Sequence, residues 1–366
     1  ESIAAILFAV VFVASFIMVF QWHIFRHSTK FVLPWKIFRY NPSYTTPFRQ
    51  EGYKLLIMQG IALVLLGFGI FQVHTASISN PYMGVKEIYY QYYMQHLEGT
   101  FTQEKKQWLE EEIKEFEPIF ALNRQLKANT ITKDEYEAQM SLYSQLTEKM
   151  NVLQTILQSM QQLSEKPRMQ MVYEFGWLTL FDNKDNSDIQ DALWCSILAA
   201  ICFSGIFSME KQTGMIYVIS TTLLGKKKTV GYKLIWATMI CAILTVFSLV
   251  PRFGISVKYG LGAWFAPIYS IAEYASAPEI PMFLMVGILV VSRFLGFLLM
   301  AFGIMAISQK IANGFAAMFL SLLIFGVAPL LSTVGLTAAK WCSVYTIFHV
   351  PALLAEKGGF IMMILL

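Results

Sequence analysis

Long apolar runs separated by polar stretches dominate the hydrophobic pattern of this sequence. A bilayer core takes about 20 mostly apolar residues per helix, and six segments meet that requirement. They are Ile3–Phe25, Leu55–Val73, Ile189–Ser208, Leu234–Val250, Pro281–Ile307 and Ile311–Val334. A seventh run starts near Phe360 and is cut off by the chain end at Leu366. The pattern predicts an all-α fold, a polytopic transmembrane helical bundle.

The composition agrees with this prediction. Of the 366 residues, 56% are hydrophobic and only 14% are charged, whereas about a quarter are charged in soluble proteins. A disordered chain and a cytosolic enzyme are therefore excluded. The four cysteines show no paired spacing, so neither a disulfide framework nor a zinc site is indicated.

Lysine and arginine in the short loops predict the orientation of the bundle. Segments 26–54 and 209–233, with Lys310, carry twelve basic residues, whereas the alternate loops, 251–280 and 335–359, carry four. Basic short loops stay preferentially in the cytoplasm. The long segment 74–188, with 17 acidic and 11 basic residues and a net charge of −6, is then expected outside.

The outside segment is predicted to form an extracellular α-helical hairpin with a coiled-coil-like seam. Leu109, Ile113, Phe116 and Phe120 lie at helical spacing, and Pro118 should kink that helix. Thr132 and Glu135 have the form of a capping box that starts the second helix, which is expected to end near Lys166. Its apolar residues keep a four-three spacing over Tyr136, Met140, Tyr143, Leu146, Met150, Leu153, Leu157 and Met160.

Two questions about this segment stay open from the sequence. The apolar stripe is either only the core of the hairpin or part of a lid or partner-docking arm. The tyrosines upstream either lie at the lipid headgroup level or pack beneath the hairpin. They are Tyr82, Tyr89, Tyr90, Tyr92 and Tyr93.

The loop after the third apolar segment carries a more specific pattern, FSGIFSMEKQTGMIYVISTTLLGKKKTVGYKLIW, over Phe203–Trp236. It resembles the corresponding loop of ABC-2 type ABC transporter permeases, the membrane subunits of bacterial exporters. The matching positions are Phe203, Phe207, Glu210, Gly214, Thr221 and the step from Gly231 to Lys233. The sequence departs from the family pattern with Leu223 in place of proline, and with Lys226, Lys227 and Lys228 where one arginine is usual.

The resemblance implies a permease with a large extracellular insertion, driven by separate cytoplasmic ABC ATPase subunits. The residues expected to couple the two subunits are Glu210, Lys211, Thr213, Gly214, Thr221, Gly225, Lys226, Lys227 and Lys228. It further implies a bacterial cytoplasmic (plasma) membrane, a second permease half that is fused, identical or different, and a peptide, lipid-linked or amphiphilic substrate. Contact with membrane lipids is expected, and no nucleic-acid partner.

The resemblance also divides the chain. Residues 1–25 would be an extra transmembrane helix, the possible end of a preceding half, and 26–54 a cytoplasmic linker with an amphipathic approach helix. The rest would comprise core helix one (55–73), the extracellular domain (74–188), core helix two (189–208), the coupling loop (209–233) and core helices three to six (234–366). On this division the last of these helices would be truncated.

Motifs for chemistry are absent from the sequence. No GxxxxGK[ST] loop, HExxH or GxSxG element occurs, so the chain is expected to bind no cofactor or metal, to hydrolyse no ATP itself and to be no enzyme.

Arg293 lies deep in an apolar segment, where a charge is costly unless it faces protein or water. It is expected to point into the bundle, toward an anionic substrate or lipid, or toward a partner such as Glu273 or Glu279, unless it snorkels to the interface. The alternative function is a membrane receptor or scaffold that senses an extracellular ligand through its hairpin.

Overall fold

The computed structural model describes residues 46–79, 84–100, 102–163, 168–181, 187–221, 225–333 and 345–348. Within these ranges the chain is helical and contains no strand. The predicted helix Ile3–Phe25, most of the linker 26–54 and the run from Phe360 lie outside the described residues.

The helices are numbered here in chain order. They are α1 (Pro47–Tyr53), α2 (Ile61–Ile78), α3 (Val85–Leu97), α4 (Gln103–Lys114), α5 (Glu117–Lys127), α6 (Lys133–Leu142), α7 (Ser144–Leu163), α8 (Glu174–Phe181), α9 (Ser187–Phe203), α10 (Gly205–Gln212), α11 (Met215–Ser220), α12 (Gly225–Tyr259), α13 (Met282–Lys310), α14 (Gly314–Thr333) and α15 (Tyr345–Phe348). A π-helical turn, Lys54–Met58, lies between α1 and α2.

Four helices in the described part of the chain are long and apolar enough to cross a membrane. They are α2, the continuous stretch Asp191–Gln212 of α9 and α10, most of α12 from Lys227, and α13. In α14 the described apolar stretch, Gly314–Val327, is shorter. Length and composition thus indicate a membrane protein.

These long helices pack around α9. Its small residues Ala199, Ala200 and Cys202 are fully buried, as are Phe297 and Ala301 of α13. In lipid, no hydrophobic driving force brings helices together, so their association depends on close packing. Small side chains permit this packing, because they let the helix backbones approach closely.

The polar segment forms a second core from α3, α4, α5 and α7. Tyr93, Leu97, Leu109, Phe116 and Ile156 are among its buried residues. Tyr89 and Tyr90 pack against the same core, so the described tyrosines of α3 favour packing within this helical domain over a position among lipid headgroups.

A third core lies around the connection between α12 and α13, which contains two short 3₁₀ turns, Ile268–Ser270 and Ala272–Tyr274. The fully buried indole of Trp177 on α8 stacks on Phe181 and donates to the carbonyl of Gly262 at 3.1 Å. The connection is therefore a packed element.

Local signals in the polar segment match the structure. Helix α4 ends at Lys114, and α5 starts with Pro118 in its first turn. The missing N–H of proline costs nothing there, because the first N–H groups of a helix have no partner within the helix. The Thr132–Glu135 capping box is present, with both reciprocal hydrogen bonds. The second helix, however, is not continuous, because it breaks at Tyr143 between α6 and α7.

Two of the long helices differ in extent from the predicted apolar segments. Instead of starting at Leu55, α2 starts at Ile61, because Gly60 adopts a left-handed φ of 74° after the π turn. Instead of ending near Val250, α12 continues through Pro251 to Tyr259. The polar end of α12 is held by Lys258, whose Nζ donates to three carbonyls at the carboxyl end of α2 at 2.8–3.0 Å.

Candidate functional site

The loop Phe203–Trp236 leaves the bundle through α10 and forms the short helix α11 before α12 begins. Gly214 joins α10 to α11 with φ at 73°, a left-handed conformation that glycine adopts without steric cost. In α11, Met215, Tyr217 and Val218 are 43%, 74% and 63% exposed. The loop thus presents an exposed apolar surface on a short, sharply turned helix.

An ion-pair network joins α10 to α12 and to the segment before α2. Glu210 of α10 accepts a hydrogen bond from Lys233 of α12 at 2.7 Å and pairs with Lys54 of the π turn at 3.4 Å. Lys54 also pairs with Glu51 of α1 at 2.6 Å. Two carboxylates and two ammonium groups therefore neutralise each other where three separate parts of the chain meet.

Lys233 is the most buried member of this network, with a side chain 1% exposed. Its Nζ also donates to the carbonyl of Ile206 at 2.8 Å and lies 4.6 Å from the centre of the Phe207 ring. A charge in such a position requires its partner, because burying an isolated ammonium group is costly. Glu210 supplies that partner, and its own side chain is only 13% exposed.

Electrostatics favour the charged form of Lys54. Burial alone would lower the pKa of its ammonium group, but the hydrogen bonds and negative charges of Glu51 and Glu210 outweigh burial and raise that pKa.

A serine on α13 supports the step between α9 and α10. The hydroxyl of Ser308 accepts hydrogen bonds from the backbone N–H groups of Phe207 and Ser208 at 3.2 and 3.1 Å, and donates to the carbonyl of Ser204 at 2.6 Å. The Ser308 hydroxyl thus satisfies backbone N–H and C=O groups at the helix step, where no water is needed for this purpose.

Helix α1 is anchored on α12. The ring of Phe48 stacks on Trp236, with centroids 5.1 Å apart, and the indole N–H of Trp236 donates to the Phe48 carbonyl at 3.0 Å. Gly52 faces the same indole so closely that a Cβ would clash with it. The approach helix is therefore fixed to the helix that carries Lys233.

The predicted coupling residues are divided between interior and surface. Glu210 faces inward, and Lys211 donates to the Gln309 carbonyl at the end of α13. Thr213 and Thr221 bond carbonyls of their own helices, at Met209 and Val218. Gly225 begins α12, and Lys227 and Lys228 are exposed on its first turn. The side chain of Lys226 and residues 222–224 lie outside the described residues.

Arg293 is fully buried and belongs to a second charge cluster. Its guanidinium lies 3.1 Å from the carboxylate of Asp191 on α9 and donates to the Ser248 carbonyl at 3.4 Å. Arg252 of α12 lies 3.2 Å from the same Asp191 carboxylate. Asp191 thus links three of the long helices, and Glu279, one of the partners expected for Arg293, pairs instead with Arg168.

The pairings within both networks were not predicted from the sequence. Lys54 counted only toward loop charge and Arg252 only toward an outer loop. Lys233 was a matching position of the family pattern, and Glu51 belonged to the expected approach helix. In the sequence, each of these residues is an ionisable residue at the edge of an apolar run. That position does not indicate which residue it pairs with. Among the described residues, no group of three His, Cys, Asp or Glu side chains could hold a metal ion.

No protein-family model, curated protein or solved structure matches this chain.

Proposed function

We propose that the chain is the transmembrane permease subunit of an ATP-driven exporter, powered by a separate ATP-binding-cassette subunit. The observation that carries this proposal is the exposed apolar helix α11, which is tied at its base to α12 and α1 by the Glu210 network. A short helix held in this way can transmit a movement of a cytoplasmic partner directly to the membrane-spanning helices.

The proposed docking surface consists of Met215, Tyr217 and Val218, with Lys227 and Lys228 as the adjacent charges. Exposed apolar side chains supply contact area for a partner, and the lysines orient a partner of opposite charge. Glu210, whose charge is compensated inside the protein, acts in this proposal as a positioning residue rather than as a contact.

The wider arrangement follows from the same proposal. The basic loops and α11 face the cytoplasm of a bacterial plasma membrane, whereas the domain α3–α7 stands outside on a polytopic bundle. A second permease half completes the pathway, and the substrate is a peptide, a lipid-linked molecule or another amphiphile. The net charge of −6 over residues 74–188 and the basic short loops support this orientation.

The test is purification of the tagged full chain from its native membrane. Tyr217→Asp should strongly reduce the amount of copurified protein that carries a GxxxxGK[ST] loop, together with vanadate-sensitive ATP hydrolysis. The matched control is Ala312→Asp, which adds the same charge at an exposed residue in the turn between α13 and α14. Equal copurification and ATP turnover for the two variants and the wild type would reject the docking role of α11.

A further inference from the structure

An open groove of about 540 Å³ lies in the helical domain, on the side of α3 where α4 ends and α6 meets α7. Its lining comprises Ile88, Tyr89, Tyr92, Glu115, Leu142, Tyr143, Gln145, Leu146 and Lys149. The groove is far from the α10–α12 loop in sequence and plays no part in the proposed ATPase contact.

The exposed apolar side chains of the domain are concentrated here. Leu142 is 81% exposed, because the helix break at Tyr143 leaves it at the end of α6. Ile88 and Tyr92 of α3 are 52% and 40% exposed, and Val85, one turn earlier at 52%, extends their stripe. Contiguous exposed apolar residues on a water-facing domain are typical of an interaction site.

One wall of the groove already binds a cation. The ammonium group of Lys149 lies 5.6 and 5.9 Å from the ring centres of Tyr92 and Tyr93. It also pairs with Glu115 at 2.6 Å and with Glu112 at 3.3 Å. Aromatic faces beside carboxylates form a favourable environment for an ammonium or guanidinium group, and Glu115, with 53% of its side chain exposed, remains accessible.

Charge decides which amphiphile fits. Glu112, Glu115 and Lys149 leave this wall with a net charge of −1, within a segment whose net charge is −6. An anionic lipid surface would be repelled by such a domain, whereas a cationic molecule would be attracted.

We propose that this groove binds a cationic amphipathic peptide. Apolar side chains of the peptide cover Ile88, Tyr92 and Leu142, and a lysine or arginine of the peptide pairs with Glu115. This binding site does not depend on the exporter proposal, since it rests only on the surface of the helical domain.

The test uses the full chain in discs of zwitterionic phosphatidylcholine, with binding to empty discs subtracted. The probe is a fluorescent 18-residue helical peptide of leucine, alanine and lysine, and its counterpart carries glutamate in place of lysine. Glu115→Lys should weaken binding of the cationic peptide about fivefold, since exposed charge pairs are individually weak. Leu142→Ser, which changes no charge, should weaken it by about the same factor through lost apolar burial.

Glu110→Lys is the matched control, because it makes the same charge change on an exposed residue of α4 that does not line the groove. It should leave the affinity within about twofold of the wild type. If Glu110→Lys and Glu115→Lys weaken binding equally, the overall charge of the domain explains the attraction, and the proposed site is overturned. Unchanged affinity in both Glu115→Lys and Leu142→Ser, or equal binding of the anionic peptide, would overturn it as well.

Discussion

The network around Glu210 makes an asymmetric prediction about two substitutions. Glu210→Gln removes the carboxylate that faces Lys233, whose ammonium group is then left with the Ile206 carbonyl and the Phe207 ring. Lys233→Met removes the cation instead, but Glu210 keeps Lys54 at 3.4 Å. Glu210→Gln should therefore be the less stable of the two variants.

The magnitudes follow from burial. Removing one partner of a buried ion pair costs about 3–5 kcal/mol, because the remaining charge is uncompensated. We expect a loss of this size for Glu210→Gln, since the Lys233 side chain is 1% exposed. For Lys233→Met we expect about 1–3 kcal/mol, the cost of an incompletely satisfied polar group. The double variant leaves no unpaired lysine at position 233 and should be more stable than Glu210→Gln alone.

Thermal melting in detergent, followed by fluorescence-detected size exclusion, measures this order directly. The expected order of apparent melting temperatures is wild type, then Lys233→Met and the double variant, then Glu210→Gln. A Glu210→Gln protein that melts at or above the temperature of Lys233→Met would refute the reasoning. So would a double variant that is less stable than both single variants.

Three further predictions concern other parts of the molecule. Asp191→Asn should destabilise the bundle by about 3–5 kcal/mol, because the buried guanidinium of Arg293 loses its carboxylate; melting measures it. Gly176→Ala should cost about 1–3 kcal/mol, since a Cβ there would clash with the Gly260 carbonyl. Burial, opposed by Lys105, raises the pKa of Glu98, so Glu98→Gln should melt above the wild type at about pH 7 but not at about pH 4.

Two of these predictions have a control variant, and the third is checked by its pH dependence. Asp191→Glu keeps the charge and should restore most of the melting temperature. Gly287→Ala, at a helical glycine where an added Cβ would meet open space, should be neutral or slightly stabilising. For Glu98, the folded state holds its proton more tightly than the unfolded state, so stability falls as the pH rises above the usual pKa of 4.5. The glutamine variant cannot lose that proton, and an equal pH slope in both proteins would contradict the assignment.

Local patterns in the sequence predicted the parts of the fold that short-range physics determines. The capping box at Thr132 and the helix start at Pro118 depend on residues within one turn of each other. The apolar seam of the second helix was also recognisable. Leu153 is buried in the core of the helical domain, and the other members from Met140 to Met160 are partly buried against that core. The break at Tyr143 was missed, because helical periodicity alone does not register a change of axis.

Contacts between distant residues could not be predicted in the same way. Lys54 and Glu210 are 156 positions apart, and Arg293 and Asp191 are 102 apart. A sequence shows that a charge in an apolar run needs a partner, but the choice among acidic residues depends on how the helices pack. The prediction of Glu210 as an outward contact reflects the same gap, since only packing places its carboxylate inside.

The separation between Lys54 and its partners has a consequence for synthesis of the protein. At 5–20 residues per second, Glu210 is made roughly 8–30 s after Lys54. During that interval Lys54 can pair with Glu51, which lies three positions earlier on the nascent chain. Glu51 can thus neutralise the lysine while α2 enters the bilayer, and the later pairing with Glu210 ties this early segment to helices that are made after it.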